Sequence, residues 1–130
     1  MIFRYLPILL VLVTVALLAL NLRAADAVPR PTAAEVRGKY DAGVLFVDVR
    51  TDDEWSAGHL RSALHLPVDA VASKAATILP DKDKPLVTYC QSGRRAEAAA
   101  ESLRTLGYTK VTAMAGGYDE LKAAGFPIDE

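Results

Sequence analysis

Pro85-Leu86-Val87-Thr88-Tyr89-Cys90-Gln91-Ser92-Gly93-Arg94-Arg95 is the stretch whose reading decides the fold. Pro85 to Tyr89 is a short apolar run of the kind that forms a buried strand. From Ala96 to Leu106 the chain is rich in Ala, Glu and Leu, all good helix formers, and Gly107 ends that run. A strand therefore feeds through the six residues Cys90 to Arg95 into a helix. A side chain at such a junction lies at the carboxyl end of a strand, where open α/β sheets place their sites, and at a helix N-terminus, where free backbone N–H groups favour an anion.

The same alternation extends in both directions. Upstream, Thr32-Ala33-Ala34-Glu35 has the form of a capping box opening a helix to about Tyr40, broken by Asp41-Ala42-Gly43. Val44 to Val49 predicts a buried strand with Asp48 near its end. Thr51-Asp52-Asp53-Glu54 is a second capping box, for a short helix that Gly58 stops. Ala63 to Leu66 predicts a strand closed by Pro67, and Asp69 is expected to cap a small helix through about Ala76. Downstream, Lys110 to Met114 predicts a strand, Gly116-Gly117 a turn, and Tyr118 to Ala124 a last helix stopped by Gly125. Strands alternating with helices predict an α/β fold with a mainly parallel sheet.

A chain of 130 residues fits one domain, and 52% hydrophobic with 24% charged residues is ordinary for a globular one. Arg4 and Arg23 are the only charges in the first 23 residues, so a total of −1 leaves the rest of the chain at −3. A mildly acidic body with no basic run argues against a nucleic-acid partner. The single cysteine excludes an internal disulfide and a cysteine-rich metal site, and His59 and His65 have no soft ligands near them in sequence, so no metal is expected. Nothing signals an organic cofactor or an oligomeric state.

The N-terminus has the pattern of an export signal. Met1 to Arg4 is short and basic, Ile8 to Leu20 has only Thr14 polar in thirteen residues, and Ala25-Asp26-Ala27 is an A-x-A cleavage pattern. The expected organisation is a signal peptide over residues 1–27, a stiff linker over 28–31 (Val28-Pro29-Arg30-Pro31) and the folded domain over 32–130. The alternative is an uncleaved anchor, because residues 5–22 as a helix reach roughly 27 Å. A buried core helix fits poorly, since Ile8 to Leu20 has no polar face. Both readings place the domain outside the cytoplasm, soluble in the periplasm after cleavage or held at the inner membrane facing outward.

Chemistry concentrates at Cys90. Gly93 lets the chain turn tightly so that several N–H groups converge, and Arg94 and Arg95 add positive charge. That setting favours a reactive thiolate over a structural, buried cysteine. An unpaired thiol in an oxidising compartment also calls for a function.

Three sets of residues together resemble the rhodanese family. Leu45-Phe46-Val47-Asp48-Val49-Arg50 with Glu54-Trp55 and Gly58-His59-Leu60 resembles its first motif. Cys90-Gln91-Ser92-Gly93-Arg94-Arg95 resembles its active-site loop, and Gly116-Gly117-Tyr118 with Gly125-Phe126-Pro127 its closing motif. The resemblance spans about residues 32–128 and is nearest to the exported single-domain members. It implies a three-layer α/β fold with a central, mainly parallel, five-stranded sheet. It also implies a thiosulfate sulfurtransferase in which Cys90 carries sulfur as a persulfide, from thiosulfate or a similar donor to cyanide or a thiol. Gln91, Ser92, Gly93, Arg94 and Arg95 would bind the substrate, and Arg94 and Arg95 would attract the dianionic donor. Asp48, Arg50, Glu54 and His59 are expected to hold structure, since attack of a thiolate on a sulfane sulfur removes no proton. Ala96 stands where many members have serine, which removes a hydroxyl from the loop.

Two other functions share this fold. A non-catalytic persulfide carrier or interaction module needs the same cysteine. A phosphatase or arsenate reductase uses a longer loop with arginine at the position of Ala96. Arg95 comes one residue early for that clamp and is expected to splay toward solvent. The export reading predicts a soluble periplasmic product whose N-terminal sequence begins at Val28, whereas a full-length chain in the carbonate-washed membrane pellet would establish the anchor.

Overall fold

The computed structural model describes residues 2–25 and 27–130, so Met1 and Asp26, the middle residue of the predicted cleavage pattern, lie outside the described residues. The elements are α1 (Leu6–Ala25), α2 (Ala33–Asp41), β1 (Leu45–Asp48), α3 (Asp52–Ala57), β2 (His59–Leu60), β3 (Leu64–His65), α4 (Val71–Ile78), β4 (Leu86–Tyr89), α5 (Arg94–Thr105), β5 (Val111–Ala113), α6 (Tyr118–Ala123) and β6 (Ile128–Asp129). Both capping boxes form. Thr32 and Thr51 each accept the N3 amide, and Glu35 and Glu54 reach back to the cap backbone. Asp69 does not cap a helix. It lies in a 3-10 turn over Val68–Ala70, and α4 begins at Val71 without a side-chain cap.

Four parallel strands form the sheet in the order β3-β1-β4-β5. Alternate side chains of β1 and β4 enter two separate cores. Val47 and Leu86 pack with Val71 and Ala75 of α4 and with Ala96, Ala99, Ala100 and Leu103 of α5. Phe46, Val87 and Tyr89 pack with Val36 of α2 and Leu121 of α6. Burial on both faces explains why the strands read as continuous apolar runs rather than alternating ones. The result is three layers, and the end of β4 emerges near the middle of the sheet.

The sheet has four strands rather than the expected five, and the segment predicted to be a linker lies along its β5 edge without forming a strand. Ala113 and Ala115 donate their backbone N–H groups to the carbonyls of Pro29 and Pro31, at 3.0 and 2.9 Å. The segment runs parallel to β5 along its outer edge. Proline lacks an N–H, so Pro29 and Pro31 accept from the sheet without offering further donors to solvent, a chemistry suited to an edge. Residues 29–31 thus hydrogen-bond to the edge of the domain expected over residues 32–130. A second feature without a sequence signal is the short antiparallel pair β2–β6, which ties the C-terminus to the residues after α3.

α1 spans 20 residues, and its side chains from Leu6 to Leu18 are exposed and belong to neither core. Among the described residues no helix is long and apolar enough to cross a membrane.

Among the described residues one ion pair is fully buried. Arg50 donates through Nε to Asp48 Oδ1 at 3.1 Å and through Nη2 to Oδ2 at 2.8 Å, and the two residues are 2% and 0% exposed. Arg50 Nη2 also donates to the Gly58 carbonyl at 2.6 Å. Removing one partner leaves the other charge buried and unanswered. Asp48→Ala should cost about 3–5 kcal/mol in urea unfolding. Asp129→Ala, which breaks the exposed Arg61–Asp129 pair, should cost no more than about 1 kcal/mol.

Candidate active site

β4 delivers Cys90 to the end of the sheet, and the chain turns at Gly93 into α5. Gly93 is the N-cap of α5 and has φ +93°, a left-handed conformation that favours glycine. A Cβ there would lie 2.4 Å from the Ala115 carbonyl oxygen, so position 93 is closed to side chains on steric grounds as well. The turn brings the Gly93 N–H to Cys90 Sγ at 3.0 Å. This is the geometry expected of a site that stabilises negative charge on sulfur. Among the described residues no backbone acceptor takes the N–H groups of Arg94, Arg95 and Ala96, which form the first turn of α5.

Cys90 is fully buried and borders the core on the α5 side of the sheet. Gln91 and Arg95 are half-buried, while Ser92 and Arg94 are exposed. The loop is gripped from several directions. The Cys90 carbonyl accepts the Tyr118 N–H at 2.8 Å. Gly117 lies so close that an added Cβ would meet the Gln91 and Cys90 carbonyl oxygens at 2.2 and 2.4 Å. The Gly116-Gly117 turn of the sequence is thus a close approach of two backbones. Thr88 Oγ1 donates to the Ala96 carbonyl at 2.8 Å and ties β4 to the start of α5.

Arg94 and Arg95 do not play equal parts. Arg95 does not splay into solvent, as its position in the loop suggested. Its guanidinium forms a two-pronged pair with Glu54 of α3, at 2.5 and 3.0 Å. Arg95 holds the Glu54 carboxyl down to about 2, and the Thr51 backbone and hydroxyl act in the same direction against the cost of burial. Glu54 in turn raises the Arg95 guanidinium above its ordinary range. Arg94 is exposed, and among the described residues it has no ion-pair partner. The free positive charge at the loop is therefore that of Arg94.

The residues expected to hold structure do so. Arg50 lies 4.1 Å from the Tyr118 ring centre, beneath the turn that touches Cys90. His59 stacks on Trp55 at 3.5 Å with its Nδ1 2.9 Å from the Trp55 carbonyl, and His65 stacks near the same indole at 4.8 Å. The Tyr89 hydroxyl accepts the Leu60 N–H at 3.0 Å, and burial together with the nearby Asp48 carboxylate pushes that hydroxyl far up. Among the described residues no group of three or more His, Cys, Asp or Glu could hold a metal.

Two contacts of the site had no sequence signal. Glu54 was legible as a capping residue, but nothing near it in the chain points to Arg95, 41 positions away. Arg30 donates to the Gly93 carbonyl at 3.2 Å across 63 positions. The sequence places Arg30 only inside a stiff linker.

The family model of the rhodanese-like domain matches residues 32–124. The chain belongs to the rhodanese family. This rhodanese domain is 34% identical over 76 residues to thiosulfate sulfurtransferase PspE of Escherichia coli strain K12, which covers 58% of this chain and 72% of that one. It is 36% identical over 105 residues to the tRNA uridine(34) hydroxylase of Cronobacter sakazakii, covering 74% of this chain but 30% of that protein. A solved rhodanese with anions from E. coli superposes with a TM-score of 0.56 at 34% identity, over 65% of this chain and 95% of that one. Family membership thus fixes the scaffold, while relatives named for different reactions share it.

The Glu54–Arg95 pair gives a pH signature. The Glu54 carboxyl titrates lower in the folded state than in the unfolded one, so below its ordinary value of 4.5 the unfolded chain takes up the proton first. The stabilisation is complete above about pH 4.5 and disappears as pH falls toward 2. Unfolding midpoints measured across that window should fall more steeply for the wild type than for Glu54→Gln. The difference should shrink at high salt, because the pair is partly exposed.

Proposed function

We propose that this rhodanese domain is a sulfurtransferase that moves a sulfane sulfur from thiosulfate, or a donor of the same kind, to cyanide or a thiol through a persulfide on Cys90. The observation that carries the reading is the Gly93 N–H directed onto Cys90 Sγ at the start of α5. A helix start that already donates to sulfur places a hydrogen-bond donor where the terminal sulfur of a persulfide would carry its charge. The similarity to a protein named as a thiosulfate sulfurtransferase supports the choice of donor.

In the first half-reaction the Cys90 thiolate attacks the outer sulfur of thiosulfate. A bond forms between Sγ and that sulfur, the bond from the outer sulfur to the sulfonate breaks, and its electron pair leaves with sulfite. Charge is conserved, with one negative charge on the persulfide and two on sulfite. Cyanide then attacks the terminal sulfur, leaves as thiocyanate and returns the thiolate, and a thiol acceptor, attacking as its thiolate, follows the same course and leaves as a persulfide. Neither step needs a proton removed by a base. Gln91, Ser92, Gly93, Arg94 and Arg95 form the binding loop. Gly93 holds the sulfur, the free amides of Arg94 and Arg95 face the incoming charge, and the Arg94 side chain attracts the dianion. Arg95 acts as a strut, because Glu54 occupies two of its donors.

That same strut weighs against the phosphatase or arsenate reductase reading. A phosphoryl clamp needs a guanidinium free to turn into the loop. A persulfide carrier without turnover would keep the same geometry, and cyanide turnover separates the two. The domain is proposed to work outside the cytoplasm, as a soluble periplasmic protein after cleavage following Ala27, with attachment through residues 5–22 as the alternative. The exposed apolar side chains of α1, which no core residue covers, support a segment meant for export or a membrane rather than for the domain.

Intact mass after incubation with thiosulfate should show one added sulfur atom that cyanide removes, and Cys90→Ala should gain none. Steady thiocyanate production by the wild type is the expected result of the coupled assay. A Cys90→Ala protein that still produces it would overturn the assignment.

A further inference from the structure

The segment Val28-Pro29-Arg30-Pro31 does more than line the edge of the sheet. Its two proline carbonyls are fixed on Ala113 and Ala115, and proline restricts the backbone on either side of Arg30. From that fixed edge the Arg30 side chain reaches the active-site loop. Nη2 donates to the Gly93 carbonyl at 3.2 Å, and Nη1 pairs with Glu97 of α5 at 3.1 Å. The Gly93 carbonyl also accepts the Glu97 N–H at 3.1 Å, so it has partners for both lone pairs.

Gly93 needs such a hold. A glycine at φ +93° has no side chain to fix the orientation of its peptide groups, and both of them matter to the sulfur site. The peptide before it carries the N–H that donates to Cys90 Sγ. The peptide after it carries the Arg94 N–H, the first free amide of α5. A cation bound to the carbonyl of that second peptide fixes its orientation and polarises it, which strengthens the Arg94 N–H as a donor to an anion.

We propose that Arg30 is a positioning residue for sulfur transfer: from the edge segment outside β5 it sets the Gly93 peptide, and through it the amides that receive the thiolate and the transferred sulfur. The inference rests on the sulfurtransferase reading of Cys90 and adds to it a residue outside the loop. It gives residues 28–31 a role at the site, and cleavage after Ala27 would leave that role intact.

Two measurements on the full-length chain test it. Amide hydrogen exchange reads the loop without any substrate. In Arg30→Ala the Gly93 amide should exchange about tenfold faster, while Ala113 and Ala115 keep the wild-type rate. Unchanged Gly93 exchange, or a change confined to Ala113 and Ala115, would mean that Arg30 only pins the edge segment, and the proposal falls. Rapid-quench detection of sulfite reads the first turnover. The limiting rate should drop about tenfold in Arg30→Ala at any salt concentration, with little change in the half-saturating thiosulfate concentration. Arg30→Lys, which keeps a donor and a charge, should recover part of the rate and guards against a folding defect in the alanine variant. A loss seen only as weaker half-saturation and erased by salt would make Arg30 a general attractor of anions and overturn the positioning role. If the wild type releases no sulfite, the sulfurtransferase reading fails, and the exchange measurement still decides whether Arg30 sets the loop.

Discussion

At the end of β1 the Asp48 carboxylate and the Arg50 guanidinium lie side by side in the interior, with 0% and 2% of their surfaces exposed. Two charges taken out of water are tolerated only with close, directional partners, and here the partners link separate parts of the chain. Arg50 holds the Gly58 carbonyl at the end of α3 and lies against the Tyr118 ring at the start of α6. Its own carbonyl is 2.9 Å from His65 Nε2 on β3. One arginine thereby links three segments that surround the end of the sheet, two through its guanidinium and one through its backbone carbonyl. Tyr118 passes the constraint on, because its N–H holds the Cys90 carbonyl.

The loop that follows Cys90 is consequently built by contacts from outside it. Gly117 lies against it from the α6 side, Ala115 and Arg30 bound Gly93, and Glu54 holds Arg95. Each of these contacts fixes the backbone and leaves the N–H groups at the head of α5 unpaired. A sulfur anion needs donors that are already aligned when charge arrives, since alignment during the reaction would add to the barrier. On the proposed reading the site would meet that need with amides instead of side-chain acids or bases, in keeping with a transfer that moves sulfur and no proton.

Charge at the mouth of the site is correspondingly modest. Two arginines in sequence suggest a strongly positive loop, yet Glu54 answers one of them. What remains is one exposed arginine and the head of a twelve-residue helix. A larger oxyanion would call for a guanidinium that can turn inward, and Arg95 is committed elsewhere. On the proposed reading, the six-residue spacing of the loop and the Glu54 pair both favour a small sulfur anion over a phosphoryl group.

Most of the framework was legible in the sequence because it rests on local rules. The strands around Asp48 and Cys90, the capping boxes at Thr32 and Thr51, and the glycine stops at positions 107 and 125 follow from apolar runs, side-chain caps and left-handed backbone. Each is decided within a few residues, so the chain alone determined an α/β layer fold with Cys90 between a strand and a helix. Tertiary structure alone decided the rest. Asp69 looked like a cap, but the chain leaving the sheet enters a 3-10 turn there. The segment before Thr32 looked like a spacer, and its proline carbonyls complete an edge whose donors come from residues more than eighty positions away. Arg30 reaches Gly93 and Glu54 reaches Arg95 across gaps of 63 and 41 positions. Sequence pattern encodes which face of an element is apolar. It does not encode which distant charge meets which backbone group, because that is set only when the packed layers bring the chain segments together.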